Sequence, residues 1–131
     1  MSRAGFLEPL LKRAAGPQAL VNLTRGTVVA AQVEGAFDSA SRKHGLLGRN
    51  GLEAERALVI APCSGVHTFF LRFPIDVLFV GRDGRIRKAK RSVVPWRIAL
   101  ALGAFAVVEG GPGMIERSGT RPGDQLGFRD G

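Results

Sequence analysis

Apolar residues in this chain come in short, β-branched bursts separated by glycine and proline joints, a rhythm that predicts strands far more than helices. Ala19–Thr24 and Thr27–Val33 flank Arg25-Gly26 and predict a hairpin. Ala57–Ala61 reads as a buried strand. Val66–Leu71 and Pro74–Val80 read as two strands joined tightly at Arg72-Phe73; a proline that opens a strand is tolerated because it need not donate to the ladder. Arg82-Asp83-Gly84-Arg85 predicts a hairpin turn with both central residues at positive φ, and Arg85–Val94 the return strand. Phe105–Glu109 and Gly123–Phe128 predict the remaining strands.

Helical signals are confined to short pieces. Residues 1–18 form an N-terminal arm whose helix-capable part, Phe6–Ala15, ends at Gly16-Pro17. Asp38 and Ser39 can cap a helix running to about Leu47, with Gly48 placed for a left-handed terminus. Met114–Ser118 is about one turn after the Gly110-Gly111-Pro112-Gly113 joint. The expected architecture is α+β and predominantly antiparallel β: residues 19–131 as a single sandwich- or barrel-like lobe with one or two short helices.

Composition narrows the class. A chain of 131 residues, 45% of them hydrophobic, is long enough for one ordinary core. A single cysteine, Cys63, excludes an internal disulfide framework. Glu8, Pro9, Lys12 and Arg13 interrupt the N-terminal apolar residues, so no secretory signal is expected, and the longest apolar run, Ile98–Val108, is too short to span a bilayer. A cytoplasmic location is expected. The net charge of +8 is concentrated: Arg82, Arg85, Arg87, Lys88, Lys90 and Arg91 are accompanied by one acid, Asp83.

Ionisable groups set among apolar neighbours are the candidates for chemistry, because an isolated buried charge is costly and must be compensated. Cys63 and His67 could form a nucleophilic pair, or ligate a metal with Asp76 as a third group. Four extended residues span about 13 Å, however, so the two meet only if Ser64-Gly65 turns sharply, and the residue spacing favours buried structural roles. Asp76 lies between apolar faces and needs a cation or several N–H donors, with Arg49 or His67 as the expected partner. Glu109 ends a strand beside a glycine turn, where it can line a cleft or accept turn amides. That turn is not a phosphate loop, since no G-x-x-x-x-G-K-[ST] follows.

Taken in order, His44-Gly-Leu-Leu-Gly-Arg49, Pro74-Ile-Asp76-Val-Leu-Phe79, Asp83-Gly84, Val107-Val-Glu109-Gly-Gly and Gly123-Asp124 resemble the family known as domain of unknown function 192. The likeness runs over roughly residues 20–128. It implies a small, mostly β domain with no established biochemical activity. The family's commoner Trp-Met-Lys-Asn-Thr stretch is replaced here by His67-Thr-Phe-Phe-Leu-Arg72.

Three functional readings follow. In the first, the domain is a non-enzymatic module that binds a small ligand or protein segment at a cleft near His67 and Asp76, with Arg49, Thr68 and Glu109 contributing and no cofactor needed. In the second, His67, Asp76 and Cys63 serve a metal- or acid–base-dependent hydrolase. In the third, Arg85, Arg87, Lys88, Lys90 and Arg91 form a basic ribbon for RNA, DNA or acidic lipid headgroups. Charged edge strands also prevent sheet-to-sheet association, which accounts for the same residues without a partner. The lack of an amphipathic helix weakens the lipid version.

Overall fold

The computed structural model describes residues 5–11 and 18–130. A five-stranded sheet divides the domain, in the order β3 (Gln32–Ala36), β4 (Arg56–Ile60), β9 (Ala106–Gly110), β6 (Ile75–Val80) and β7 (Ile86–Val93). Its inner strands are apolar at successive positions because both faces are covered, and alternation assigns each side chain to one face or the other. Leu78 and Val80 of β6, Val59 of β4 and Val108 of β9 face one core. Val77 and Phe79, Leu58 and Ile60, and Val107 face the second.

The first core is closed by the sheet β10 (Leu126–Asp130), β1 (Gln18–Asn22) and β2 (Thr27–Ala30), and by helix α3 (Met114–Ser118). Leu7, in the 3₁₀ turn that precedes the single helical turn α1 (Glu8–Leu11), is buried in the same core, and Phe6 stacks on Phe128 at 5.0 Å. The second core lies under helix α2 (Ser39–His44) and a two-stranded sheet of β5 (Gly65–His67) and β8 (Ile98–Leu100). The result is an α+β lobe dominated by antiparallel pairing. Its two capped helices are short, and no barrel closes among the described residues.

Four local expectations are corrected. The run Thr27–Val33 is not one strand: the chain bends at Ala31, so Thr27–Ala30 stays with β1 while Gln32–Ala36 pairs in parallel with β4. A parallel pair requires a crossover, and the Phe37–Glu55 connection carrying α2 supplies it. That helix ends at Gly45, earlier than Leu47, with φ of 48° at the terminus. Val66–Leu71 is not a strand beside Pro74–Val80. Only Gly65–His67 is extended, and it pairs with Ile98–Leu100. In the Asp-Gly turn only Gly84 takes positive φ, at 82°. The Asp83 carboxylate accepts from the Arg85 amide at 3.0 Å, so the side chain does part of the turning.

Asp76 is held by neither Arg49 nor His67. It is 1% exposed on the first-core face of β6, and its two oxygens accept from the amides of Ser92 (2.8 Å) and Ile115 (2.9 Å). One carboxylate therefore joins the central sheet to an irregular point in β7, where Ser92 has φ of 46°, and to the first turn of α3. At the opposite end of the same core, Asp124 receives Arg25 at 2.6 Å and Asn22 at 3.0 Å. Burial alone would raise the Asp124 carboxyl, but these donors and the Arg121 amide pull it down to about 2. Replacing Asp76 by Asn leaves one amide facing an NH₂ group, so Asp76→Asn is expected to lose about 2–3 kcal/mol of unfolding free energy. An unshifted urea midpoint would contradict this role.

Candidate functional site

The helix α2 and the Pro62–Val66 stretch stand over the second face of the sheet, and between them lies a cleft of about 450 Å³. Its apolar wall includes Leu46, Ile60, Val66 and Leu71, and its rim carries Arg42, Lys43, His44 and His67. Asp38 starts α2 by accepting from the Ser41 amide at 2.8 Å. The three basic residues occupy the last turn of α2, where they also complement the negative end of the helix dipole. Positive φ at Gly45 stops the helix directly over the cleft floor: a Cβ built there would lie 4.0 Å from Glu109 Oε1.

Glu109 is that floor. It sits at the end of β9 opposite Val77 of β6, so alternation sends its side chain to the second face, away from Asp76. It is 4% exposed, and among the described residues its carboxylate makes no hydrogen bond and no ion pair. No fully enclosed side-chain oxygen among the described residues is unsatisfied, so the Glu109 oxygens open into the cleft rather than into sealed protein. Burial raises its carboxyl to about 7, and the positive field of Arg49 offsets only part of that rise. The Arg49 guanidinium itself is bound to Glu34 at 3.0 Å.

The other expected residues divide. Cys63 and His67 border the same cleft as Glu109. The Cys63 thiol donates to the Gly65 carbonyl at 3.0 Å, and burial, with the neighbouring Glu109 charge adding to it, pushes its pKa up, away from thiolate reactivity. His67 is exposed and stacks on Phe69 with ring centroids 5.1 Å apart. Asp76 lies on the other side of the sheet, so the set His67, Asp76 and Cys63 does not converge. Among the described residues no three Cys, His, Asp or Glu side chains come together as a metal cluster. Thr68 does not border this cleft. It is fully buried, donating to the Val94 carbonyl at 2.7 Å and accepting from the Arg97 amide at 2.9 Å.

The basic ribbon is only partly available. Arg87 pairs with Asp83 at 3.2 Å, Arg85 donates to the Gly123 carbonyl at 3.1 Å, and Lys88 donates to the Leu100 carbonyl at 2.8 Å. Lys90 and Arg91 make no ion pair among the described residues. Residue spacing missed Arg42, Lys43 and Leu46 as cleft residues. The signal available was the His44-Gly-Leu-Leu-Gly-Arg49 segment, whose first glycine lets α2 end over Glu109.

The chain belongs to the domain of unknown function 192 family, described as "Uncharacterized ACR", whose family model matches residues 20–128. Two solved structures are similar. A protein of unknown function from Novosphingobium aromaticivorans is 27% identical with a TM-score of 0.72, over 84% of this chain and 82% of that one. A protein from Sinorhizobium meliloti described as a candidate transcription regulator is 25% identical with a TM-score of 0.74, over 85% of this chain and 91% of that one. No curated protein matches. No helix among the described residues is long and apolar enough to cross a membrane.

Because Glu109 keeps its proton in the folded state up to about pH 7 and loses it near 4.5 when unfolded, the native state binds more protons across that interval. Stability therefore falls as pH rises through it, by up to about 3 kcal/mol, since each pKa unit corresponds to about 1.4 kcal/mol. Glu109→Gln is expected to flatten this slope and to be more stable than the native protein in mild alkali. Parallel urea midpoints for the two proteins between about pH 5 and pH 8 would contradict it.

Proposed function

We propose that this domain is a non-enzymatic binding module whose cleft, floored by Glu109 and roofed by α2, holds a small amphiphilic ligand. The observation that carries this reading is the Glu109 carboxyl: nearly buried, without a protein partner among the described residues, and open to a cavity. A solitary polar group in an otherwise apolar pocket fixes a ligand's orientation. An amine or hydroxyl of the ligand would supply the hydrogen bond that the protein does not. Arg42, Lys43 and His44 at the mouth suit an anionic group at the ligand's other end, and the aliphatic wall suits a short carbon body between them.

The non-enzymatic reading rests on the chemistry around the floor. The nearest nucleophile, Cys63, is a hydrogen-bonded thiol with a raised pKa, and Asp76, expected beside His67 and Cys63 in a hydrolytic site, is committed to two amides on the far face. A lone carboxyl near neutrality can accept or hold a proton, and among the described residues no second acid–base group is hydrogen-bonded to it.

A thermal-shift panel of amino acids, hydroxy acids and aminoalkyl phosphates tests the reading. Compounds carrying both a donor and an anionic group should raise the melting temperature in proportion to ligand excess. Affinity should fall at least about tenfold in Glu109→Gln and in Arg42→Ala, as expected for a charge-assisted hydrogen bond. If none of the panel raises the melting temperature, or if the shift survives both substitutions, the cleft is not the binding site.

A further inference from the structure

A second unexplained surface lies outside the cleft, on the β5–β8 sheet and the turns that flank it. Phe70 is 69% exposed, Trp96 57%, Ile98 64%, Leu100 63% and Leu102 fully. Single exposed apolar residues are ordinary, but a contiguous group of large ones marks a contact surface. The chain invests in presenting it. Phe70 and Trp96 both hold φ near 67°, at 66° and 68°, a conformation bulky residues rarely adopt. Their rings meet edge to face at 4.8 Å. The buried Thr68 holds them there: its carbonyl accepts from the Trp96 amide at 3.2 Å, and its hydroxyl bridges Val94 and Arg97.

Cations adjoin this patch. In the β6–β7 pairing Lys88 lies opposite Phe79 and Lys90 opposite Val77, so both lysines project from the face that β5 and β8 cover. Lys88 donates one ammonium hydrogen to the Leu100 carbonyl and keeps two donors and an unpaired charge. Arg97, next to Trp96, is exposed, and neither it nor the two lysines is paired with a carboxylate among the described residues.

We propose that this face docks on the surface of an anionic lipid bilayer, with Trp96, Phe70, Ile98, Leu100 and Leu102 entering the headgroup–acyl boundary and Lys88, Lys90 and Arg97 contacting lipid phosphates. The apolar surface that the sequence lacks as an amphipathic helix is supplied here by a strand pair and its turns. Aliphatic side chains decide between the anionic surfaces. Single-stranded nucleic acid is held by stacking on aromatic rings, to which Ile98, Leu100 and Leu102 contribute nothing, whereas a bilayer takes up aliphatic and aromatic groups alike. Tryptophan favours the interface, with its ring body in the apolar layer and its N–H in the wet one. Lysine stems can lie along that layer while their ammonium groups stay at the phosphates.

Trp96 is the sole tryptophan and the chain has no tyrosine, so intrinsic fluorescence of the intact protein reports on this face alone. Titration with vesicles of phosphatidylcholine mixed with phosphatidylglycerol is expected to shift the emission to the blue and to expose it to quenching by brominated acyl chains. Phosphatidylcholine alone should do neither. Leu102→Asp, at a fully exposed position that leaves the fold intact by circular dichroism, should abolish the shift. The pair Lys88→Gln and Lys90→Gln should lower vesicle affinity about 30-fold at low salt. Three results would overturn the proposal: no blue shift with anionic vesicles; an equal shift with phosphatidylcholine alone; or a concentration-dependent shift without lipid that tracks a dimer dissolved by Leu102→Asp. Quenching by polyuridylate in place of any vesicle response would overturn it in favour of nucleic acid.

Discussion

The antiparallel pairing of β6 with β9 at the middle of the five-stranded sheet governs the rest of the structure. Both strands are covered on both faces, so every side chain on them must be apolar or individually compensated. Two carboxyls break the apolar pattern, Asp76 on one face and Glu109 on the other, and the fold treats them oppositely. Asp76 is satisfied by two amides from different elements and thereby ties β7 and α3 to the sheet. Glu109 is left without a protein partner among the described residues, at the bottom of a cleft that α2 roofs. Where each element sits follows from that division: α3 and the three-stranded sheet close the Asp76 side, while the crossover helix and the β5–β8 pair flank the Glu109 side.

Much of the architecture was legible in the sequence for simple reasons. Ala57–Ala61, and Pro74–Val80 apart from Asp76, are apolar at consecutive positions and too short for a helix, the pattern of a strand buried on both faces. Asp38 starts α2 as local rules demand. What escaped was pairing. A bend at Ala31 redirects the chain between two sheets without any glycine or proline to announce it. Within the apolar run Ile98–Val108 only the second strand, Phe105–Glu109, was visible; Ile98–Leu100 escaped because three extended residues leave no periodicity to read. The aromatic run Thr68–Leu71 reads as a strand by propensity, yet tertiary hydrogen bonds to Thr68 fold it into a turn.

The site was legible in its residue types and not in their grouping. Cys63, His67, Asp76 and Glu109 all carried the signal of polar groups among apolar neighbours, and three of the four border one cleft. A single residue of register separates Asp76 from them, because successive positions on a strand face opposite ways and a pairing that is unknown leaves faces unassigned. The helix that roofs the cleft was visible as a helix, but its docking over Glu109 depends on a parallel crossover that local sequence does not encode.

The claim on which the account turns is that Glu109 is a solitary carboxyl, poised near neutrality by burial, in a cleft built for a ligand. Its titration can be followed directly through the side-chain carboxyl ¹³C resonance of the intact protein. The account predicts a midpoint at about 7, moved downward when Arg42-side anionic ligands bring an amine to the carboxylate. A midpoint near the ordinary 4.5 would contradict it, because a carboxyl that titrates normally is either solvated or already partnered.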